Sequence, residues 1–223
     1  MSPAVQQVAK HIDLLQAQIV MVYPARLTTG KKFEKVAALA GAIQKKTEQS
    51  TKVIFCDFPS ADISSKAYKE MIRIEGEKFG LRNGDLLFTS DIGYPDGFPR
   101  QGVLELFTLS NLFVCPSFSE SFGLTVLEAA SRGNFIVLNE AVPALKELGG
   151  ILGAYFMRWD AKNFGYDTQE TYHPSEAQYY EEHGQNIVNA MREDQCLHAK
   201  TIVRKQYHIA WICKNQLMPL LEH

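Results

Sequence analysis

LFVCPSFSESFGLTVLEAASRGNFIVL, Leu112 to Leu138, reads as a strand, a turn, a helix and a second strand. LFVC and FIVL are apolar almost throughout, the pattern of strands covered on both faces in a parallel sheet. The segment between them sets two carboxylates eight positions apart, Glu120 ahead of the turn and Glu128 inside the helix. Between Glu120 and Arg132 the only other charge is Glu128, and its helical neighbours include Leu124, Leu127, Ala129 and Ala130. A buried, unpaired carboxylate is costly, so Glu128 needs an answering group. That group is either a hydroxyl-rich ligand or a cation such as Arg132, one turn later at i, i+4.

The same alternation runs outward in both directions. Strand candidates are QIVMVY (18–23), KVIFCDF (52–58), DLLFTS (85–90) and AYFM (154–157), beside LFVC (112–115) and FIVL (135–138). Helical period fills the intervals at Lys32 to Thr47, Ser65 to Phe79, Gly102 to Ser110, Gly123 to Ser131 and Pro143 to Leu148. Strands each followed by a helix predict an α/β fold, a Rossmann-like doubly wound parallel sheet of about six strands. After Met157 the polar run RWDAKNFGYDTQETYHPS reads as a loop rather than a strand, followed by helices at Glu176 to Glu193 and Leu197 to Leu217. The expected organisation is a linker helix over 1–18, the sheet domain over 19–194 and a C-terminal helix over 195–220. Leu221, Glu222 and His223 read as the remnant of a vector-encoded histidine tag.

At 223 residues and 46% hydrophobic content the chain can bury a full core. Its 23 Lys plus Arg and 25 Asp plus Glu are dispersed, giving no electrostatic case for nucleic acid or an anionic membrane. Four cysteines, Cys56, Cys115, Cys196 and Cys213, form no CxxC pair and read as thiols. No apolar run approaches the roughly 20 residues of a membrane span, and Met1 to Gln18 is not a signal peptide. The expectation is a reducing, cytoplasmic setting.

In open α/β sheets ligands collect beyond the carboxyl ends of the strands. The loop after QIVMVY, PARLTTGKKF, carries Arg26, Lys31 and Lys32 ahead of a helix, where cations oppose the macrodipole. They suit an anion such as a diphosphate shared with the helix start, or equally a solvated loop whose lysines Glu34 balances. A P-loop is rejected, because Ala25 stands where its first glycine is needed and Lys32 where its Ser or Thr belongs. The loop DIGYPDGFPR, Asp91 to Arg100, suits a wall or flap over a ligand, or an ordinary connection, and receives no catalytic role. In SESFG, Gly123 permits close backbone approach, and the free amides of the first helical turn point at any anion there. A phosphate over Phe122, Gly123 and Leu124 leaves Glu120 near the group attached to it and Glu128 one turn further along, an arrangement that suits a nucleotide-diphosphate sugar.

In YPARLTTGKK, DLLFTSDIGY, PSFSESFGLTVLEAASRG and AVPALKELGG the chain resembles the nucleotide-sugar-binding half of the GT-B glycosyltransferases, most closely the retaining family-four group. The resemblance implies that Arg26 and Lys31 bind the donor diphosphate and stabilise the departing nucleotide. Ser121, Phe122, Gly123 and Leu124 meet phosphate and sugar, Glu128 accepts the ribose hydroxyls, and Glu120 holds hydroxyls of the transferred sugar. Ser90 stands where the family's base pocket begins. No DxD motif occurs, which fits a site with no cofactor and no metal. Departures are Ala25 before the arginine, Lys32 after the lysine and Phe135 for a common proline. In such enzymes an N-terminal domain holds the acceptor, a sugar or glycolipid. Nothing in these residues reads as that domain, so the expected protein is a donor-binding fragment with little or no transfer activity alone. Alternatives are an epimerase or phosphorylase relative of the same fold, or a non-catalytic nucleotide-binding or interaction module. The last helix, with Ile209, Trp211, Ile212 and Leu217, is expected to expose apolar surface and favour self-association.

Overall fold

Six apolar runs become six strands: β1 (Ile19–Arg26), β2 (Thr51–Phe58), β3 (Leu86–Phe88), β4 (Leu112–Cys115), β5 (Phe135–Asn139) and β6 (Tyr155–Met157). They form one all-parallel sheet in the order β3-β2-β1-β4-β5-β6. The structure, a computed structural model, describes residues 1–14, 17–61, 64–159, 161–163, 166–168, 175–193 and 212–221. Parallel neighbours need crossovers, and the helices between strands supply them: α2 (Phe33–Thr47), α3 (Ser65–Phe79), α4 (Arg100–Leu109), α5 (Leu124–Ser131) and α6 (Pro143–Leu152). The chain builds outward from β1 to β3, returns to lay β4 beside β1, and builds outward again. Right-handed crossovers then put the helices of the two halves on opposite faces. Accordingly α2 packs with α3 and α7 (Glu176–Met191), while α4 packs with α5 and with α1 (Pro3–His11).

The core sits between sheet and helices. Tyr23, Phe33, Phe55 and Phe88 form an aromatic row under the first half, with Phe33 and Phe55 ring centroids 4.9 Å apart. Helices α2 and α3 meet backbone to backbone at Gly41, where a Cβ would stand 2.7 Å from the Gly76 carbonyl oxygen and 2.8 Å from the Leu81 nitrogen. Under the sheet's amino end Asp85 is buried, and it accepts hydrogen bonds from Gln44 at 2.9 Å, Arg82 at 3.0 Å and the Lys52 ammonium. Burial alone pushes this carboxyl up, but the three donors together outweigh burial and hold it below the usual range.

Several boundaries differ from the sequence reading: β1 runs on to Arg26 and α6 to Leu152, past the expected Tyr23 and Leu148. DLLFTS is a strand only over Leu86–Phe88 and then turns as a 3₁₀ segment, Thr89–Ile92, because Asp57 draws the chain in. The Asp57 carboxylate accepts both the Ser90 amide, at 3.1 Å, and the Ser90 hydroxyl. The polar run after Met157, read as a loop, contains an antiparallel pair, β7 (Ala161–Asn163) and β8 (Tyr166–Thr168). Polar residues conceal such a hairpin, since apolar alternation is the signal of a strand. The helix read at Leu197 to Leu217 lies mostly outside the described residues, although Cys213–Leu217 and Met218–Leu221 are helical. Cys56 and Cys115 are buried free thiols, Cys213 is half-buried, and Cys196 lies outside the described residues. Among the described residues no helix is long and apolar enough to cross a membrane.

Candidate functional site

The strand order reverses between β1 and β4, and there the sheet opens. β1 stays in register with β2 through Arg26, whereas its pairing with β4 is confined to Met21 and Leu112. Such a switch point leaves a crevice at the carboxyl ends of the strands. A cavity of about 720 Å³ lies in it, within the usual size of small-molecule sites. Its lining comes from the end of β1 with the loop behind it, the end of β2, the start of α4 with Phe98 ahead of it, and the loop after β4 with the start of α5.

The β1 loop is folded from below. Tyr23 is buried, and its hydroxyl donates to the Lys31 carbonyl at 2.9 Å. Thr29–Lys31 form a 3₁₀ turn, and Lys32 leaves it left-handed at φ 54° to begin α2. The Phe118 amide donates to the Gly30 carbonyl at 2.8 Å, stitching this loop to the one after β4. Arg26 and Lys31 both line the cavity, with the Arg26 guanidinium 6.0 Å from the Phe58 ring. Lys32 lies over the Phe118 ring at 5.5 Å and is outside the lining residues.

The loop after β4 brings in the first carboxylate. Ser117 is buried and its hydroxyl donates to Glu120 Oε1 at 3.2 Å, while the Asn139 amide donates to the Ser117 carbonyl at 3.2 Å. The Lys31 ammonium donates to the same Glu120 oxygen, so these two cavity residues form an ion pair. Burial is the main cause that pushes the Tyr23 hydroxyl well up and the Cys115 thiol to about 11, with Glu120 adding to both. Both groups therefore stay neutral beneath the pair.

Gly123 turns the chain into α5 at φ 81°, a left-handed conformation in which an added Cβ would also stand 3.2 Å from Val126 Cγ2. The first bond of the turn runs from the Val126 amide to the Gly123 carbonyl at 3.0 Å, so the Leu124 and Thr125 amides precede it at the helix's positive end. Ser121, Phe122, Gly123, Leu124 and Thr125 all line the cavity. Phe122 and Leu124 are exposed at its lip.

Glu128 follows one turn later and faces the same space. Its answering cation is not Arg132. Arg100, the first residue of α4, donates from Nη2 to Glu128 Oε1 at 2.7 Å. The pair is partly wet, with side chains 80% and 27% exposed, so it contributes about 0.2–1 kcal/mol. The cavity thus gathers Arg26, Lys31, Glu120, Ser121, Phe122, Gly123, Leu124 and Glu128. Ser90 lies outside the lining, its hydroxyl held between Asp57 and Lys69.

Sequence reasoning missed Arg100, Phe58, Phe98 and Val103. Phe58 ends β2, the kind of position where a ligand-facing side chain is expected, and this signal was available. Phe98 and Arg100 belong to the Gly/Pro-rich segment read as either a wall or an ordinary connection, where no periodicity predicts the direction of a side chain. Phe98 is set by packing edge-to-face on Tyr94, with ring centroids 4.8 Å apart, and across Gly102, where a Cβ would stand 2.6 Å from its ring.

Several solved structures share this architecture. The C-terminal domain of a glycosyl transferase group 1 family protein, LpcC, from Francisella tularensis is 16% identical, with a TM-score of 0.63 over 94% of this chain and 95% of that one. A glycosyltransferase from Rickettsia africae is 11% identical, with a TM-score of 0.66 over all of this chain and 52% of that one. Anabaena HepE, solved in complex with UDP and glucose, is 14% identical, with a TM-score of 0.64 over all of this chain and 53% of that one. The chain therefore spans about half the length of the last two, and at these identities the likeness is one of fold. Comparison with curated proteins gives no match. The model of the family described as glycosyl transferases group 1 matches residues 7–149, from α1 through the switch point to α6, and the chain belongs to that family, as a GT-B glycosyltransferase domain.

Proposed function

We propose that this chain is the donor-binding half of a retaining glycosyltransferase, taking a nucleotide-diphosphate sugar and passing the sugar to an acceptor held by a further domain. The observation that carries the reading is that one switch-point cavity gathers three cations, Arg26, Lys31 and Arg100, with a helix start and two carboxylates. A diphosphate over the amides of Leu124 and Thr125 meets Arg26 and Lys31. Glu128 then receives the ribose hydroxyls and Glu120 those of the sugar. As the bond to the sugar breaks, negative charge grows on the departing diphosphate, and preorganised donors aimed there lower the barrier. Lys31 reaches a phosphate by giving up Glu120, and Ser117 remains as a donor to that carboxylate. A sugar hydroxyl donating to Glu120 replaces the lost ammonium, so binding exchanges one set of partners for another.

The half-length match to the Rickettsia and Anabaena chains supports placing the acceptor, a sugar or glycolipid, on another domain. Little or no transfer is then expected from these residues alone. The complex of Anabaena HepE with UDP-glucose puts UDP-sugars among the donor candidates, beside GDP- and ADP-sugars. The diphosphate charge is met by side-chain cations, so no metal is required.

Calorimetric titration with UDP, GDP and ADP tests this directly. At least one binds, EDTA leaves its affinity unchanged, and Glu128→Ala weakens it while the melting temperature holds. Binding of none of the three would sink the donor-site reading. A Glu128→Ala chain that loses stability and keeps its affinity would make Glu128 a structural residue.

A further inference from the structure

Arg100 occupies a position that its own helix does not favour. It is the first residue of α4, whose first turn contains no acidic residue and whose N-cap, Pro99, makes no side-chain hydrogen bond. A cation there opposes the helix macrodipole. Its side chain is 80% exposed, so burial does not explain its setting either. What holds it is the 2.7 Å hydrogen bond to Glu128 Oε1, from the start of α4 to the second turn of α5 at the cavity. The backbone behind it is fixed by Phe98, which packs on Tyr94 and across Gly102.

A carboxylate offers about four lone-pair directions on its two oxygens. Arg100 occupies Oε1, and a charge-assisted hydrogen bond of this kind fixes the carboxyl's rotation. The remaining acceptor directions suit a pair of neighbouring hydroxyls. From this geometry we infer that Arg100 is a positioning residue for the ribose: it holds the Glu128 carboxylate oriented for the 2′- and 3′-hydroxyls of the nucleotide and stays in place when they bind. This rests on the donor-site reading of Glu128. Arg100 therefore differs from Lys31, which has to leave its carboxylate for the diphosphate to be gripped.

A double-mutant cycle separates action through Glu128 from direct contact with the ligand. The probes are UDP, GDP and ADP, and inorganic pyrophosphate, titrated at ionic strength high enough to screen the net-charge change. Arg100→Met is expected to weaken the nucleotide that binds tightest by about 2- to 5-fold, the size of a partly exposed charged contact. Arg100→Lys recovers part of that loss, pyrophosphate binding stays as in the wild type, and melting temperatures fall by no more than about 4 °C. In a Glu128→Gln background, Arg100→Met costs nothing further. Unchanged nucleotide binding by Arg100→Met beside weakened binding by Glu128→Gln overturns the inference and leaves the donor-site reading standing. Losses that add in the double variant, or that extend to pyrophosphate, mean Arg100 contacts phosphate itself and also overturn it. A wild-type chain that binds none of the three nucleotides overturns the donor-site reading, and this inference with it.

Discussion

Single residues in this chain are legible to different degrees, and two carboxylates show why. Glu128 announces itself as a charge among apolar neighbours, so its need for a partner follows from sequence. Arg132 is the partner that helical spacing offers, yet the structure supplies Arg100, from another helix 28 residues upstream in the sequence. Asp85 gives no comparable signal; only the fold brings Lys52, Gln44 and Arg82 onto it. Its lowered pKa means the native state binds this proton less readily than the unfolded chain. The stability it contributes is therefore present above the unfolded value of about 3.9 and is lost as pH falls through the native value. We expect Asp85→Asn to lower stability at pH 7 and to flatten the acid limb below about pH 4, as followed by urea unfolding across pH. An acid limb as steep as that of the wild type would show that other carboxylates carry it.

At the scale of elements, the strands and helices of the sheet were readable because each strand is apolar on both faces and each covering helix has a 3.6-residue period. β2, β4, β5 and the α2 and α3 helices fall within a residue of their expected limits. A tertiary contact cuts β3 short, where Asp57 takes the Ser90 amide and hydroxyl, whereas α6 runs on to Leu152 and stops at the left-handed Gly153. The packing of α2 on α3 is likewise invisible in sequence, where Gly41 reads only as a weak helix former. A Gly→Ala change within a helix ordinarily stabilises by about 0.5–1 kcal/mol. Here the new Cβ meets the Gly76 and Leu81 backbone at 2.7 and 2.8 Å, atoms that cannot rotate away. Gly41→Ala is therefore expected to destabilise by about 1–3 kcal/mol in urea denaturation. A neutral or stabilising outcome would mean that α2 and α3 slide apart freely.

At the scale of the whole molecule, the C-terminal segment exposes Leu217 at 48%, Met218 at 50% and Leu220 at 75%; Ile209 and Trp211 lie outside the described residues. Apolar side chains so close together favour association. Light scattering should give a mass that rises with concentration above the 25.1 kDa of one chain, and Leu217→Glu should lower it. A mass fixed at that value at high concentration would remove the idea. Sequence by itself determined the class of fold, the loops that line the cavity and the pair Glu120 and Glu128, because periodicity and local charge are properties of neighbours along the chain. The tertiary structure alone decided that Arg26, Lys31 and both glutamates share one cavity, that Lys31 sits on Glu120, and that Arg100 rather than Arg132 holds Glu128. Those contacts join residues far apart in the chain. They depend on where β1 and β4 part at the switch point, a geometry that no local pattern encodes.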